Sequence, residues 1–167
     1  MLTWMDSLRN RSLMRLASFT DEEMLDLVDL AAQLKARRAA GVRGDLLKRK
    51  NIALIFEKSS TRTRVSFETG MYQLGGSALF LSSNDIQLGR GEPISDTAQV
   101  LSRFLNGIMI RTFDQSDVED LAKYGSIPII NGLTDYCHPC QVLADLQTIR
   151  EKKGALEGLK LCFVGDG

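Results

Sequence analysis

The sequence predicts an α/β fold in which a mainly parallel sheet carries helices on both faces. Short apolar runs of strand length alternate along the chain with longer segments of helical periodicity. That alternation is typical of parallel sheets, because their neighbouring strands are joined by crossover helices. Helix-starting and helix-stopping residues lie between the runs at the expected places. A chain of 167 residues is long enough to bury a core of this kind.

The first half of the chain predicts two helices and two strands. Thr20 and Glu23 form a capping box, in which the side chain of each residue accepts a hydrogen bond from the backbone amide of the other. Gly75 and Gly76 stop the second helix, whose apolar face is expected to comprise Val65, Phe67, Met71, Tyr72 and Leu74. The predicted elements are a helix between Thr20 and Gly41, a strand over 52–56, a helix up to 74, and a strand over 78–81.

The second half continues the alternation after a polar loop over 82–95, whose length is typical of functional or disordered loops. Val100, Leu101 and Phe104 are expected to form the apolar face of the next helix. The predicted elements are a helix over 96–105, a strand over 108–110, a helix over 117–124, a strand over 127–130, a loop over 131–137, a helix from Pro139, and a fifth strand over 159–164.

The turn after the first strand carries the strongest functional signal. Residues 59–64 read S-S-T-R-T-R, which places several hydroxyls and two guanidinium groups at the start of a helix. The first amides of a helix lack internal acceptors and, with the helix dipole, attract anions. Arginine adds paired donors that match phosphate oxygens. The alternative is a capped helix with solvated arginines, but Glu57 is the one acid between the strand and Glu68, so a phosphate site is favoured.

Two further features follow strands directly and are therefore expected at the same edge of the sheet. Arg111 ends the third strand, and the single histidine, His138, precedes Pro139 at a predicted helix start. Gln141 follows one turn later, and its side chain is suited to hydrogen bonding with an amide group. For a lone histidine a structural role is the ordinary interpretation, but this position favours donation to a substrate oxygen.

Cys137 and Cys140 form a C-x-x-C at this helix start, which is also how a thioredoxin-like redox site begins. That hypothesis is disfavoured because it leaves the arginines without a role. A zinc site is weaker still, since Cys162 lies in a predicted strand and adjacent Cys137 and His138 are poorly spaced for tetrahedral ligands.

Composition narrows the class of partner. The formal net charge is zero, so the chain lacks the overall positive field that holds nucleic acid or an anionic membrane, and neither is expected as a partner. No apolar run approaches membrane-spanning length, and the N-terminus has no signal-peptide core. Three cysteines make no disulfide framework. The expected location is the cytoplasm.

Four stretches together resemble the aspartate/ornithine carbamoyltransferase family, in the family's order. They are F-E-K-S-S-T-R-T-R-V-S-F-E from residue 56, Q-L-G-R-G-E-P-I-S-D-T from 87, R-T-F from 111, and N-G-L-T-D-Y-C-H-P-C-Q-V-L-A-D-L from 131. The resemblance runs from about residue 8 to the end. It implies the carbamoyl phosphate-binding N-terminal domain over 1–155, with 156–167 as the first strand of a second, amino-acid-binding domain.

The resemblance also implies a role for each site residue. Ser60, Thr61, Arg62 and Thr63 would hold the phosphate, Arg111 would bridge phosphate and carbamoyl oxygen, and His138 would donate to that oxygen. Gln141 would hold the carbamoyl amide, and Gln87 lies in a loop that in the family enters a neighbouring subunit's site. Neither a metal nor an organic cofactor is expected.

The substrates implied by the resemblance are carbamoyl phosphate and L-ornithine, and the implied assembly is a homotrimer or a multiple of trimers. Two sequence motifs are typical of ornithine-type members, namely D-I-Q-L-G-R-G-E from residue 85 and N-G-L-T-D from 131. Putrescine or another amine stays open as the acceptor, because in the family the second domain selects it. This chain taken alone is expected to be inactive.

Overall fold

The computed structural model describes residues 7–42, 44–82, 86 and 91–165, and it confirms the predicted α/β architecture. The helices and strands of this described part are α1 (Asp21–Ala39), β1 (Asn51–Phe56), α2 (Thr61–Gln73), β2 (Ser77–Ser82), α3 (Ile94–Phe104), β3 (Gly107–Arg111), α4 (Gln115–Tyr124), β4 (Ile129–Leu133) and α5 (Pro139–Lys153). A 3-10 helix, Leu16–Ser18, precedes α1. The strands form one parallel sheet in the order β2-β1-β3-β4.

The sheet is covered on both faces by different helices. On one face, alternate residues of β1, β3 and β4 pack with α3 and α4, in a cluster that includes Ile55, Ile110 and Leu121. On the other face Leu54 and Met109 pack with Phe67 of α2. Strand β3 is buried over Gly107–Ile110 because it is central and covered on both sides.

The order of the strands opens a crevice between β1 and β3. The chain leaves β1 through α2 toward β2 on one side of the sheet, and it leaves β3 through α4 toward β4 on the other side. The two connections therefore diverge to opposite faces at the carboxyl ends of two adjacent strands. Ligands of open α/β sheets bind at such switch points.

Helix α1 is positioned by contacts with α5. Thr20 caps it with the predicted capping box, which the structure confirms. Arg150 of α5 forms an ion pair with Asp29 and donates to the carbonyl of Val28, and Lys35 pairs with Glu151. No helix in the described ranges is long and apolar enough to cross a membrane.

Two strand predictions were wrong. The fourth strand runs over Ile129–Leu133 rather than 127–130, so Asn131 is a buried strand residue and not the start of a loop. The fifth strand, predicted over 159–164, is irregular and exposed. Its apolar alternation resembles a strand, but backbone groups of a strand need a neighbouring strand as partner, and no strand in the described part of the chain pairs with it.

The predicted apolar faces of two helices were partly wrong. In α3 the buried residues are Thr97 and Ala98, whereas Val100 is half-exposed and Phe104 is largely exposed. In α2 Met71 is buried as expected, but Tyr72 is 82% exposed. Apolar periodicity predicts that a helix has an apolar stripe, yet it does not reveal which side of a broad stripe the neighbouring element covers.

Gly76 lies where the turn after α2 meets the segment before β1. A Cβ added at this position would lie within 3.0 Å of the carbonyl oxygens of Lys50 and Leu47, neither of which can move without moving backbone. We therefore expect Gly76→Ala to lower the free energy of unfolding by roughly 1–3 kcal/mol, measured by urea denaturation.

Gly70→Ala is the matched control for this substitution. Nothing lies within 4 Å of a Cβ at Gly70, inside α2, so the better helix propensity of alanine should raise the free energy of unfolding by up to about 1 kcal/mol. Equal effects of the two substitutions would contradict the packing assigned to Gly76.

Candidate active site

A cavity of about 410 Å³ lies at the carboxyl edge of the sheet, at the switch point between β1 and β3. It is lined by residues that come from three separate strand-to-helix connections. The predicted site residues that line it are Ser60, Arg62, Thr63, Arg111, His138 and Gln141. The fold thus brings together residues that are up to 81 positions apart in the sequence (60 and 141).

The β1–α2 turn presents a helix N-terminus to this cavity. Ser60 is the N-cap, as predicted, and its hydroxyl accepts from the amide of Thr63 at 3.3 Å and contacts the hydroxyl of Thr63 at 3.0 Å. The amides of Thr61 and Arg62 precede the first intrahelical bond, so they have no acceptor within the helix. The turn therefore supplies N–H donors and the positive end of the α2 dipole.

Arg62 and Arg111 both line the cavity, and none of the ion pairs in the described part of the chain involves either. The Nε of Arg111 is buried without a hydrogen-bond acceptor. Burial, and secondarily the nearby charge of Arg62, lower the pKa of Arg111. Two guanidinium groups that repel each other and lack a carboxylate favour binding of an external anion.

Arg64 lies in the same turn as Arg62, but its guanidinium group has partners within the protein. Its Nε pairs with Glu68 at 3.0 Å, and its guanidinium stacks over the ring of Phe80, 3.6 Å from the centroid. It lies outside the cavity that Arg62 lines. The sequence alone treated the two arginines alike, whereas the structure gives Arg64 partners of its own.

Glu57 is the acid nearest the β1–α2 turn in sequence, and it also has hydrogen-bond partners outside the cavity. Its carboxylate accepts from the hydroxyl of buried Thr112, and its amide donates to the carbonyl of Arg111 at 2.9 Å. The same hydroxyl lies 2.8 Å from Asp117. Burial chiefly, and Glu57 in part, raise the pKa of Asp117. These contacts hold Glu57 beside Thr112, and Glu57 forms no ion pair with Arg62 or Arg111.

A β-bulge in β4 shapes the far wall. Ile110 pairs with Asn131 but Arg111 pairs with Leu133, so Gly132 is the extra residue. A Cβ at Gly132 would lie 2.5 Å from the Sδ of Met109 and 3.1 Å from the carbonyl oxygen of Ile110, so any side chain here would displace Met109. The bulge lies beside the strand end that carries Arg111.

A buried polar network lies beneath the turn that carries His138. The side-chain amide of Asn131, which is fully buried, donates to the carbonyl of Met14 and to Gln115 Oε1. The hydroxyl of Thr134 also donates to Gln115 Oε1, at 2.9 Å, and it accepts from the amide of Cys137. These bonds fix the turn from below.

His138 is the N-cap residue of α5 and lines the cavity. Burial first, and the charge of Arg111 second, lower its pKa, while Asp145 acts in the opposite direction. The imidazole is therefore neutral at neutral pH and offers one N–H donor. Gln141 lies one turn further along α5, where its Nε2 donates to Asp145 at 2.9 Å.

The thiols of the C-x-x-C are both free and are poor candidates for redox chemistry. Cys140 donates to the carbonyl of Asn131 at 3.4 Å, and burial raises its pKa to about 11. A redox-active thiol requires a lowered pKa. Among the described residues no group of three or more His, Cys, Asp or Glu side chains is placed to hold a metal ion.

Two predicted site residues are not placed in this cavity. Thr61 is exposed and lines an adjoining depression with Ser59 and Arg64. Gln87 lies outside the described residues. Sequence reasoning missed five residues of the lining: Ser66, Phe67, Gly132, Leu133 and Cys140. Helical spacing from Arg62 and Thr63 could have indicated Ser66 and Phe67, whereas the bulge that brings in Gly132 leaves no clear sequence signal.

Comparison with known proteins identifies one family. A family model described as aspartate/ornithine carbamoyltransferase, carbamoyl-P binding domain, matches residues 11–151. Ornithine carbamoyltransferase of Oceanobacillus iheyensis is 64% identical over 160 residues, which are 96% of this chain and 50% of that protein. The enzyme of the same name from Carboxydothermus hydrogenoformans is 57% identical over 161 residues, 96% of this chain and 52% of that protein.

Solved structures give the same picture. Ornithine carbamoyltransferase from Pyrococcus furiosus matches with a TM-score of 0.86 and 53% identity over 88% of this chain and 47% of that one. Aspartate transcarbamoylase from Trypanosoma cruzi, in complex with aspartate and phosphate, has a TM-score of 0.82 but only 27% identity, over 89% of this chain and 46% of that one. The chain spans about half the length of the curated relatives it matches.

The single histidine makes the site accessible to spectroscopy. We expect the imidazole of His138 to titrate below about 6.5, the ordinary value for histidine, because burial and Arg111 disfavour its charged form. Saturating inorganic phosphate should raise that pKa, since a bound anion favours the cation. Proton NMR of the imidazole resonances measures both values. An unchanged titration upon phosphate binding would show that His138 does not face the anion.

Proposed function

Because this chain belongs to the aspartate/ornithine carbamoyltransferase family, we propose that it is the carbamoyl phosphate-binding half of an ornithine carbamoyltransferase. The reaction joins the carbamoyl group of carbamoyl phosphate to the side-chain amine of L-ornithine and releases L-citrulline and phosphate. The observation that carries the proposal is the convergence of Arg62 and Arg111, neither of which is paired with an acid in the described part of the chain, with His138 and Gln141 around one cavity.

The phosphate is proposed to bind at the N-terminus of α2. The free amides of Thr61 and Arg62, the hydroxyls of Ser60 and Thr63, and the Arg62 guanidinium supply donors from one turn. A dianion there would replace the repulsion between Arg62 and Arg111 with attraction. The Trypanosoma cruzi protein, whose structure was solved in complex with aspartate and phosphate, supports phosphate as a ligand of this family.

The carbamoyl group is proposed to lie between Arg111, His138 and Gln141. As the neutral amine attacks the carbamoyl carbon, negative charge develops on the carbonyl oxygen. The bond to the phosphate oxygen then breaks, and the proton lost by the amine leaves with the phosphate. Arg111 and the N–H of His138 would stabilise that oxygen, and fixed donors of this kind need no reorganisation during the reaction. Gln141 would hold the NH₂ group.

Ornithine as the acceptor is supported by the relatives, which bear that name at 53–64% identity, against 27% for the aspartate enzyme. The acceptor site is proposed to lie mainly in a second domain that begins near residue 156. Residues 159–164, whose exposed apolar side chains have no partner strand among the residues the structure describes, would form the first strand of that domain and pair with its other strands. The family resemblance further supports a trimer in which Gln87 enters the site of a neighbouring subunit. It also supports a cytoplasmic location.

Arg62→Ala is expected to weaken binding of inorganic phosphate and of phosphonoacetamide, a stable analogue of carbamoyl phosphate, by about 10- to 100-fold, the worth of one or more charge-assisted hydrogen bonds. In a protein with both halves, its turnover should fall on the order of 10²- to 10³-fold. Isothermal titration calorimetry and a citrulline assay measure the two effects.

Arg64→Ala is the matched control, since Arg64 lies on the same turn but is engaged by Glu68 and Phe80. It should leave the affinity for phosphate within about threefold of the unsubstituted chain, roughly the effect of one exposed charge. If both variants lost affinity alike, Arg62 would have no special role at the anion site.

The 167-residue chain is expected to bind phosphonoacetamide more tightly than phosphate, yet to form no citrulline from carbamoyl phosphate and ornithine. The reason is that the acceptor amine has no second domain to hold it in line with the carbamoyl carbon. Calorimetry and a colorimetric citrulline assay on one preparation provide the check. Appreciable turnover by the chain alone would refute the proposed division between halves.

A further inference from the structure

Asp145 has no part in the proposed catalytic roles. It nevertheless contacts the cavity residue Gln141 and influences the pKa of the cavity residue His138. It lies on α5 one turn beyond Gln141, whose Nε2 donates to its Oδ1 at 2.9 Å. It is also the group that raises the pKa of His138 against the effects of burial and Arg111. One side chain behind the cavity thus influences both residues of α5 that are assigned to the carbamoyl group.

The contact between Gln141 and Asp145 fixes the orientation of the glutamine amide. A free glutamine side chain can present either its carbonyl oxygen or its NH₂ group. An ionised carboxylate can only accept hydrogen bonds, so Asp145 must face the NH₂ group. Because the NH₂ group is turned toward Asp145, the carbonyl oxygen Oε1 of Gln141 lies on the other side of the amide and is available to the cavity that Gln141 lines.

An acceptor at this place discriminates between ligands of the same shape. Carbamoyl phosphate carries an NH₂ group, whereas an acyl phosphate such as acetyl phosphate carries a methyl group at the same position. An acceptor oxygen gains a hydrogen bond from the NH₂ group, but it would be buried unsatisfied against the methyl group. A donor at that place would give no such preference.

We propose that Asp145 is a positioning residue that holds the Gln141 carbonyl oxygen toward the carbamoyl NH₂ and thereby selects carbamoyl phosphate over acyl phosphates. The inference rests on the proposed function, which identifies the ligand as carbamoyl phosphate. Beyond that function, it gives a role to Asp145, which does not line the cavity, and it names acyl phosphates as ligands that the cavity rejects.

The test uses two stable phosphonates that differ only at the selected group. Phosphonoacetamide carries the NH₂ group and acetonylphosphonate carries a methyl group in its place. In calorimetry with the 167-residue chain, Asp145→Ala should reduce the preference for phosphonoacetamide by about five- to tenfold, the worth of roughly one hydrogen bond. Binding of inorganic phosphate should stay within about twofold, because phosphate does not contact Gln141 in the proposed arrangement.

Glu151→Ala is the matched control, since Glu151 is another carboxylate on α5 that is paired with Lys35 and away from the cavity. It should leave the preference unchanged. Gln141→Ala should abolish the preference, and adding Asp145→Ala to it should have no further effect, because the two residues act as one unit.

Imidazole NMR supplies a readout that a purely structural role would not move. Without the attraction of Asp145, the pKa of His138 should fall further below its ordinary value, whereas Glu151→Ala should leave it in place. Asp145 is exposed, so Asp145→Ala leaves the core intact and thermal unfolding should show a folded chain.

The outcomes separate the inference from the proposed function. If the unsubstituted chain prefers phosphonoacetamide and Asp145→Ala keeps that preference, the role of Asp145 is refuted while the proposed function stands. Equal losses for phosphate and phosphonoacetamide would also refute it, since they would indicate a general effect on the anion site. If the unsubstituted chain shows no preference, the carbamoyl assignment itself fails, and the inference fails with it.

Discussion

The site depends on the guanidinium groups of Arg62 and Arg111, which have no carboxylate partner among the residues that the structure describes. Acids are close in sequence, but each is engaged elsewhere: Glu57 by the hydroxyl of Thr112, and Glu68 by Arg64. Like charges held together in a partly buried place are unfavourable in the free protein. That cost is recovered only when an anion arrives, so the arrangement stabilises the complex more than the empty cavity. A surface arginine with a carboxylate neighbour would gain far less from binding.

The parallel sheet provides the rigidity that such an arrangement needs. Strands β1 and β3 are adjacent and buried, and their connections leave toward opposite faces. Arg111 ends one of these strands, and Ser60 caps the helix that follows the other. The bulge at Gly132 and the hydrogen bonds of Asn131 then fix the third connection, which carries His138. Charged groups are thus placed by backbone hydrogen bonds and apolar packing, so ligand binding requires little ordering of the site.

Sequence reasoning succeeded where the determinant is local. The N-cap of α2, the capping box at Thr20 and the order of the elements follow from neighbouring residues, and a parallel sheet brings strand ends together. It failed where the determinant lies far along the chain. Nothing near Arg64 indicates that Phe80 will stack against it, and the exposure of Phe104 depends on which helix packs beside α3. The strand predicted over 159–164 fails for the same reason, since strand formation is decided by a partner rather than by alternation alone.

Anion binding by itself would not make this cavity a carbamoyl site. A helix N-terminus with arginines binds phosphate, sulfate or any similar group with little discrimination. Selection must come from the opposite wall, where a neutral imidazole offers a donor and an oriented amide offers an acceptor. A flat, polar urea-like group matches a donor and an acceptor placed side by side, whereas an acyl group or a charged carboxylate can accept from the donor but has no N–H for the acceptor. In the proposed arrangement α2 attracts the charge and α5 recognises the carbamoyl group, which explains why residues so distant in sequence must meet.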